Sequence, residues 1–98
     1  MSLDKIEPGQ SAKLQATVTA EMSINRTGRE GDDVLSTPSL LQLMEQCSIE
    51  ASDPHLPEGF TTVGYAVDGM RHLAPTPIGQ KVTVTSTLTE VNGNRLTY

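Results

Sequence analysis

The sequence predicts an α+β domain in which an antiparallel sheet wraps around one apolar helix. Three observations predict it. Residues 11–21 and 81–90 alternate between apolar and polar side chains, the period of half-buried strands. Between them, residues 37–52 read TPSLLQLMEQCSIEAS, a helical segment charged only at Glu45 and Glu50. After the second strand, Val91-Asn92-Gly93-Asn94 is a hairpin signal, and hairpins make neighbouring strands antiparallel.

Each element follows from its residues. After a Pro8-Gly9 turn, Leu14, Ala16, Val18 and Ala20 share one face of the first strand, with Lys13, Gln15, Thr17 and Thr19 on the other. Residues 23–33 are polar and carry Gly28 and Gly31, so they form a loop, either a simple connection or an entrance segment. Thr37 is a good N-cap, and Pro38 suits the first helical position because its missing N–H would be unsatisfied there. Asp53-Pro54 stops the helix near Ser52. Leu40, Leu41, Leu43, Met44, Cys47, Ile49 and Ala51 cover most of its circumference, so it is expected to be central, enclosed by a sheet or by a second subunit.

Residues 55–59, HLPEG, form a turn, and 61–73 read as a strand with one irregularity. Val63, Tyr65 and Val67 share a face. A β-bulge at Asp68-Gly69 would shift the register and bring Met70 and His72 onto that apolar face. Residues 74–79, APTPIG, make a turn. In 81–90, Val82, Val84, Ser86 and Leu88 oppose Thr83, Thr85, Thr87 and Thr89, and residues 95–98 begin a returning strand. No repeat or low-complexity tract interrupts this order.

Length and composition narrow the function classes. The 98 residues make one domain, 1–98, and a 36% apolar share with no Trp is thin for a free-standing monomer. A homodimer or higher homo-oligomer is expected. Twelve acidic residues against seven basic ones give a net charge of −5, which opposes nucleic-acid binding, since that needs a basic face. A phosphate-bearing small molecule needs only a few local cations, and Arg71, Lys81 and Arg95 are candidates, the alternative being solvated surface. Cys47 is the sole cysteine, so no intrachain disulfide forms, and its apolar setting suits a buried small hydrophobe rather than a nucleophile. The N-terminus lacks the pattern of a signal peptide, and no apolar run approaches the roughly 20 residues of a membrane span. A soluble, cytoplasmic protein is expected.

Four residues stand out as site candidates, and each has a plainer reading. Leu41 and Ile49 flank Glu45 at one helical turn, so its carboxylate is expected to lose water, which would suit it to nucleophilic or general-base work; it is otherwise an exposed charge at a helix seam. His72 can exchange protons near neutral pH, or can simply hydrogen-bond the following turn. Thr37 caps the helix, a position whose N–H donors also favour developing negative charge. Gly64 permits close approach of a ligand to the backbone, or relieves crowding over the helix. His55 reads as surface. GxGxxG, P-loop, HExxH, CxxC and GxSxG patterns do not occur, which removes the common nucleotide, zinc and serine-hydrolase readings.

The order strand, loop, apolar helix, consecutive strands is that of a hotdog fold. The blocks VLSTPSLLQLMEQ, HLPEGFTTVG, RHLAPTPIGQKVTV and VNGNRLTY resemble the fluoroacetyl-CoA-thioesterase-like hotdog proteins over nearly the whole chain. The resemblance implies hydrolysis of a small acyl-CoA thioester at a subunit interface, with no metal and no cofactor beyond the coenzyme A of the substrate. It implies catalytic roles for Thr37, Glu45 and His72 and a substrate-facing Gly64. Glu45 would attack the thioester or activate water, His72 would move protons, and Thr37 would orient the carboxylate and the carbonyl.

Two departures from the family pattern accompany it. The glycine-to-histidine spacing is one residue longer, the same extra residue that the bulge would absorb. The chain also ends four residues past its hairpin turn, short of the further strands of family members, which leaves a strand edge for a second subunit to cover. The polar 23–33 loop offers no apolar lid, so fluoroacetyl specificity is not implied. Two other readings stand beside the enzyme: a non-catalytic hotdog module that binds acyl-CoA or another small apolar ligand, and a purely structural assembly subunit.

Overall fold

The computed structural model describes residues 3–25 and 28–98; Met1 and Ser2 of the N-terminal stretch and Arg26 and Thr27 of the 23–33 loop lie outside the described residues. The elements in chain order are strand β1 (Ser11–Thr17), helix α1 (Thr37–Ser52), strand β2 (Lys81–Thr87), and the short strands β3 (Glu90–Asn92) and β4 (Arg95–Thr97). A 3₁₀ turn at Ala20–Met22 ends the first alternating stretch early, and another at Asp53–His55 follows α1. β1 pairs antiparallel with β2 from Ser11↔Thr87 to Thr17↔Lys81.

This pair is the scaffold. Ala12, Leu14 and Ala16 of β1 and Val82, Val84 and Ser86 of β2 turn inward, while the alternate residues face solvent. On the outer face Gln15 Nε2 donates to Thr83 Oγ1 across the strands at 3.3 Å. α1 lies across the inner face and buries Cys47, Ala51 and Ser52, residues spaced at about one helical turn. Leu88, Val18 and Cys47 are the largest side chains sealed in this core. The Cys47 thiol donates to the Ala12 and Val84 carbonyls at 3.3 and 3.5 Å, tying the helix to both strands as a buried small group.

The hydrogen bonds also show which edge of β2 is free. Val18 N–H donates to the Gln80 carbonyl and Leu88 N–H to the Gln10 carbonyl, each at 2.8 Å, so the even residues of β2 face β1. Its odd residues point to the other edge. There Thr89 N–H meets the Thr97 carbonyl at 2.7 Å, and no strand continues alongside β2 among the described residues. The hairpin turns at Gly93, whose φ of +65° suits the first central position of a type II′ turn.

Three expectations are corrected. First, 61–73 is not a paired strand: among the described residues it belongs to no ladder, and no backbone hydrogen bond begins or ends in it. Its apolar alternation is real, but β1 and β2 take each other, and among the described residues no other strand forms backbone hydrogen bonds with it. Val63, Tyr65, Val67 and Leu73 stand exposed, Val63 at 90%. Second, the bulge has no ladder to interrupt. Gly69 does adopt a positive φ of +65°, yet half-buried Met70 and His72 do not share the fate of exposed Val63, Tyr65 and Val67. Third, α1 is covered on one side only, and Met44 and Glu45 are exposed. The chain is correspondingly elongated, 52 × 22 × 22 Å. Its radius of gyration of 15.7 Å exceeds the ~13 Å of a compact chain of this length.

Candidate active site

The start of α1 frees a hydroxyl. Thr37 was expected to cap the helix, but Ser36 does so: its backbone is extended (φ −77°, ψ 153°) and its Oγ accepts from Ser39 N–H at 3.2 Å. Thr37 is therefore the first helical residue, with its side chain released from capping. Its Oγ1 lies 2.9 Å from His72 Nδ1. His72 is half-buried and Thr37 exposed. With Nδ1 engaged, Nε2 is the ring nitrogen free to exchange a proton.

The second contact lies further along the helix. Eight residues on, about 12 Å along the axis, Glu45 meets the backbone of Gly64. A Cβ built on Gly64 would fall 2.9 Å from Glu45 Oε2, closer than a side chain tolerates. Side chains on a helix lean toward its N-terminus, so the carboxylate leans toward the Thr37 end. The 61–73 segment runs back along α1, from Gly64 beside Glu45 to His72 beside Thr37. A fully extended run of eight residues would span about 26 Å, well beyond the helical rise it follows. The left-handed turn at Gly69 helps it to deviate from a straight course.

The structure thus brings the four expected residues together as two pairs, Thr37 with His72 and Glu45 with Gly64. Among the described residues no hydrogen bond joins Glu45 to either member of the first pair. The expected burial of Glu45 is corrected: Leu41 and Ile49 are half-buried, but the carboxylate-bearing residue itself is exposed in the single chain. Among the described residues the backbone N–H groups around Gly64 have no backbone acceptor. Among the described residues no group of three or more His, Cys, Asp or Glu is placed to hold a metal ion. Sequence reasoning missed Ser36. The signal was present, since Ser36 and Ser39 have the spacing of a cap and the third helical residue, but Pro38 drew the cap one residue too far.

A profile of the fluoroacetyl-CoA-specific thioesterase family matches residues 18–98. The chain belongs to that family. A curated fluoroacetyl-CoA thioesterase of Streptantibioticus cattleyicolor is 38% identical over 69 residues, 70% of this chain and 49% of the relative. The chain therefore spans about half the length of that relative.

Solved structures place it in the hotdog fold. A hot-dog-like protein from Thermanaerovibrio acidaminovorans superposes with a TM-score of 0.80 at 30% identity, covering 95% of this chain and 68% of its own. A mutant of the family's FlK, solved in complex with fluoroacetate and CoA, gives 0.81 at 29% identity over 93% of this chain and 77% of its own. A thioesterase superfamily member from Thermus thermophilus gives 0.79 at 30% identity, covering 93% of this chain and 66% of its own. Among the described residues no helix is long and apolar enough to cross a membrane.

Proposed function

We propose that the chain hydrolyses a small acyl-CoA thioester, at a site completed where two copies meet. The observation that carries the reading is the 2.9 Å Thr37–His72 bond, formed by the same segment that seats Gly64 against Glu45. A thioester needs an oxygen nucleophile at its carbonyl carbon and a proton for the departing thiolate. Glu45 supplies the first, by direct attack or by taking a proton from water. His72 supplies the second from Nε2, its ring oriented by Thr37. In this reading the N–H groups beside Gly64 would receive the developing oxyanion. Water adds to the acyl carbon, the C–S bond breaks, and a carboxylic acid and free coenzyme A leave.

The interface follows from exposure. Residues 61–73 offer an unpaired backbone and the apolar side chains of Val63, Val67 and Leu73, which a second copy would cover. Coverage would also remove water from Glu45, as the catalytic reading requires. The solution mass should then be a multiple of the 10.5 kDa chain.

The test is thiol release from a panel of short and medium acyl-CoAs, comparing wild type with Glu45→Ala and His72→Ala. Turnover in the wild type that disappears in both variants, with fold and assembly intact, supports the hydrolase. No turnover on any member, together with a saturable rise in melting temperature on adding acyl-CoA, replaces it with a binding module.

A further inference from the structure

The segment that carries Gly64 and His72 is held in place by side chains. Among the described residues no backbone hydrogen bond ties 61–73 to the scaffold. At one end the Thr37–His72 bond fixes it to the start of α1. Near the other, the Arg95 guanidinium carbon lies 4.5 Å from the centroid of the Tyr65 ring, one residue beyond Gly64. Arg95 opens β4, and its backbone is set by pairing with Asn92 across the Gly93-Asn94 turn. The stack therefore joins a free-standing segment to an ordered hairpin. A planar guanidinium suits this contact, since it pairs with the ring face through both charge and stacking. Exposed neighbours such as Val63 and Val67 provide no comparable anchor within the chain.

We infer that Arg95 is a positioning residue for the site: held over Tyr65, it sets how closely Gly64 seats against Glu45. The inference rests on the thioesterase reading for its kinetic consequence, though not for the tether itself. Arg95 touches neither acyl group nor leaving thiol in this account. It orients the backbone that disposes the Glu45 carboxylate.

The experiment compares Tyr65→Leu, Tyr65→Phe, Arg95→Gln and the double variant Tyr65→Leu/Arg95→Gln in the assembled protein. Two readouts are taken: kcat and KM for thiol release, and the rate of trypsin cleavage after exposed Arg71, which lies within the segment. Tyr65→Leu and Arg95→Gln should each lower kcat about two- to fivefold, the size of an exposed cation–π contact, with KM unchanged. Cleavage after Arg71 should quicken by a similar factor, because it follows the population of the released segment. Tyr65→Phe keeps the ring face and should restore wild-type values. The double variant should match either single one, since both remove one contact.

Additive losses, or a Tyr65→Phe variant as impaired as Tyr65→Leu, would overturn the inference. So would a rise in KM at constant kcat for Arg95→Gln, which would make Arg95 a ligand for substrate phosphate. If the wild type turns over no acyl-CoA, the thioesterase reading fails while the cleavage rates still decide the tether. Unchanged cleavage in both single variants would remove it.

Discussion

The β1–β2–α1 scaffold and the 61–73 segment obey opposite rules. The scaffold pairs β1 with β2 in one antiparallel ladder and seals Leu88, Val18 and Cys47 between sheet and helix. The segment leaves its backbone unpaired and its apolar side chains exposed, yet it brings Gly64 and His72 to the helix. Burial sustains the first. A few directed contacts, His72 on Thr37 and Arg95 over Tyr65, sustain the second. The contrast teaches that stability and proposed chemistry are carried by different stretches of one small chain, so substitutions should separate them.

The largest separation is expected at Glu45. Glu45→Gln should slow thiol release about 10²- to 10⁴-fold, the range for losing a general base. Because Glu45 is exposed in the single chain, the stability of that chain in urea denaturation should stay within ~0.5 kcal/mol of wild type. The converse belongs to the scaffold. Leu88→Ala, at a fully buried position, should cost about 2–5 kcal/mol in the same denaturation and take activity with it through unfolding alone.

Between these lies Ser36→Ala. Removing the cap should cost about 1 kcal/mol and fray the first turn of α1. Thr37 sits in that turn, so kcat should fall with stability, sharpening the point where the two regions meet. The smallest effect concerns acid. Glu21 is fully exposed, and bonds from its own backbone amide and the Thr19 side chain hold its carboxyl below the ordinary value. A folded-state value below the unfolded one means a contribution present at neutral pH and lost as the pH falls through the folded value. Melting curves of Glu21→Gln should accordingly lose a slight part of the acid sensitivity of the wild type.

Most of the scaffold was legible because its signals are local. Alternation marked β1 and β2, Asp53-Pro54 marked the end of α1, and Asn92-Gly93 marked the hairpin. The 61–73 segment was misread because period two reveals a strand-like pattern and nothing about a partner, and pairing is non-local. The exposure of Glu45 was missed for the same reason: Leu41 and Ile49 show which side of the helix is apolar, not what covers it. Family resemblance named Thr37, Glu45, Gly64 and His72 together, with Thr37 expected to orient the carboxylate; the pairing of Thr37 with His72 and of Glu45 with Gly64 came from contacts in the structure. Periodicity alone could not supply it. The Arg95–Tyr65 stack joins residues thirty positions apart and left no sequence signal at all.

Gly64→Ala tests the central claim most directly, because the three atoms nearest the added methyl all belong to the movable end of Glu45. Thiol release and melting temperature would be measured on the same preparation. The account predicts a large loss of turnover at an unchanged melting temperature, as the carboxylate is pushed from its seat. Full activity in the variant, or a melting temperature that falls in step with activity, would contradict it.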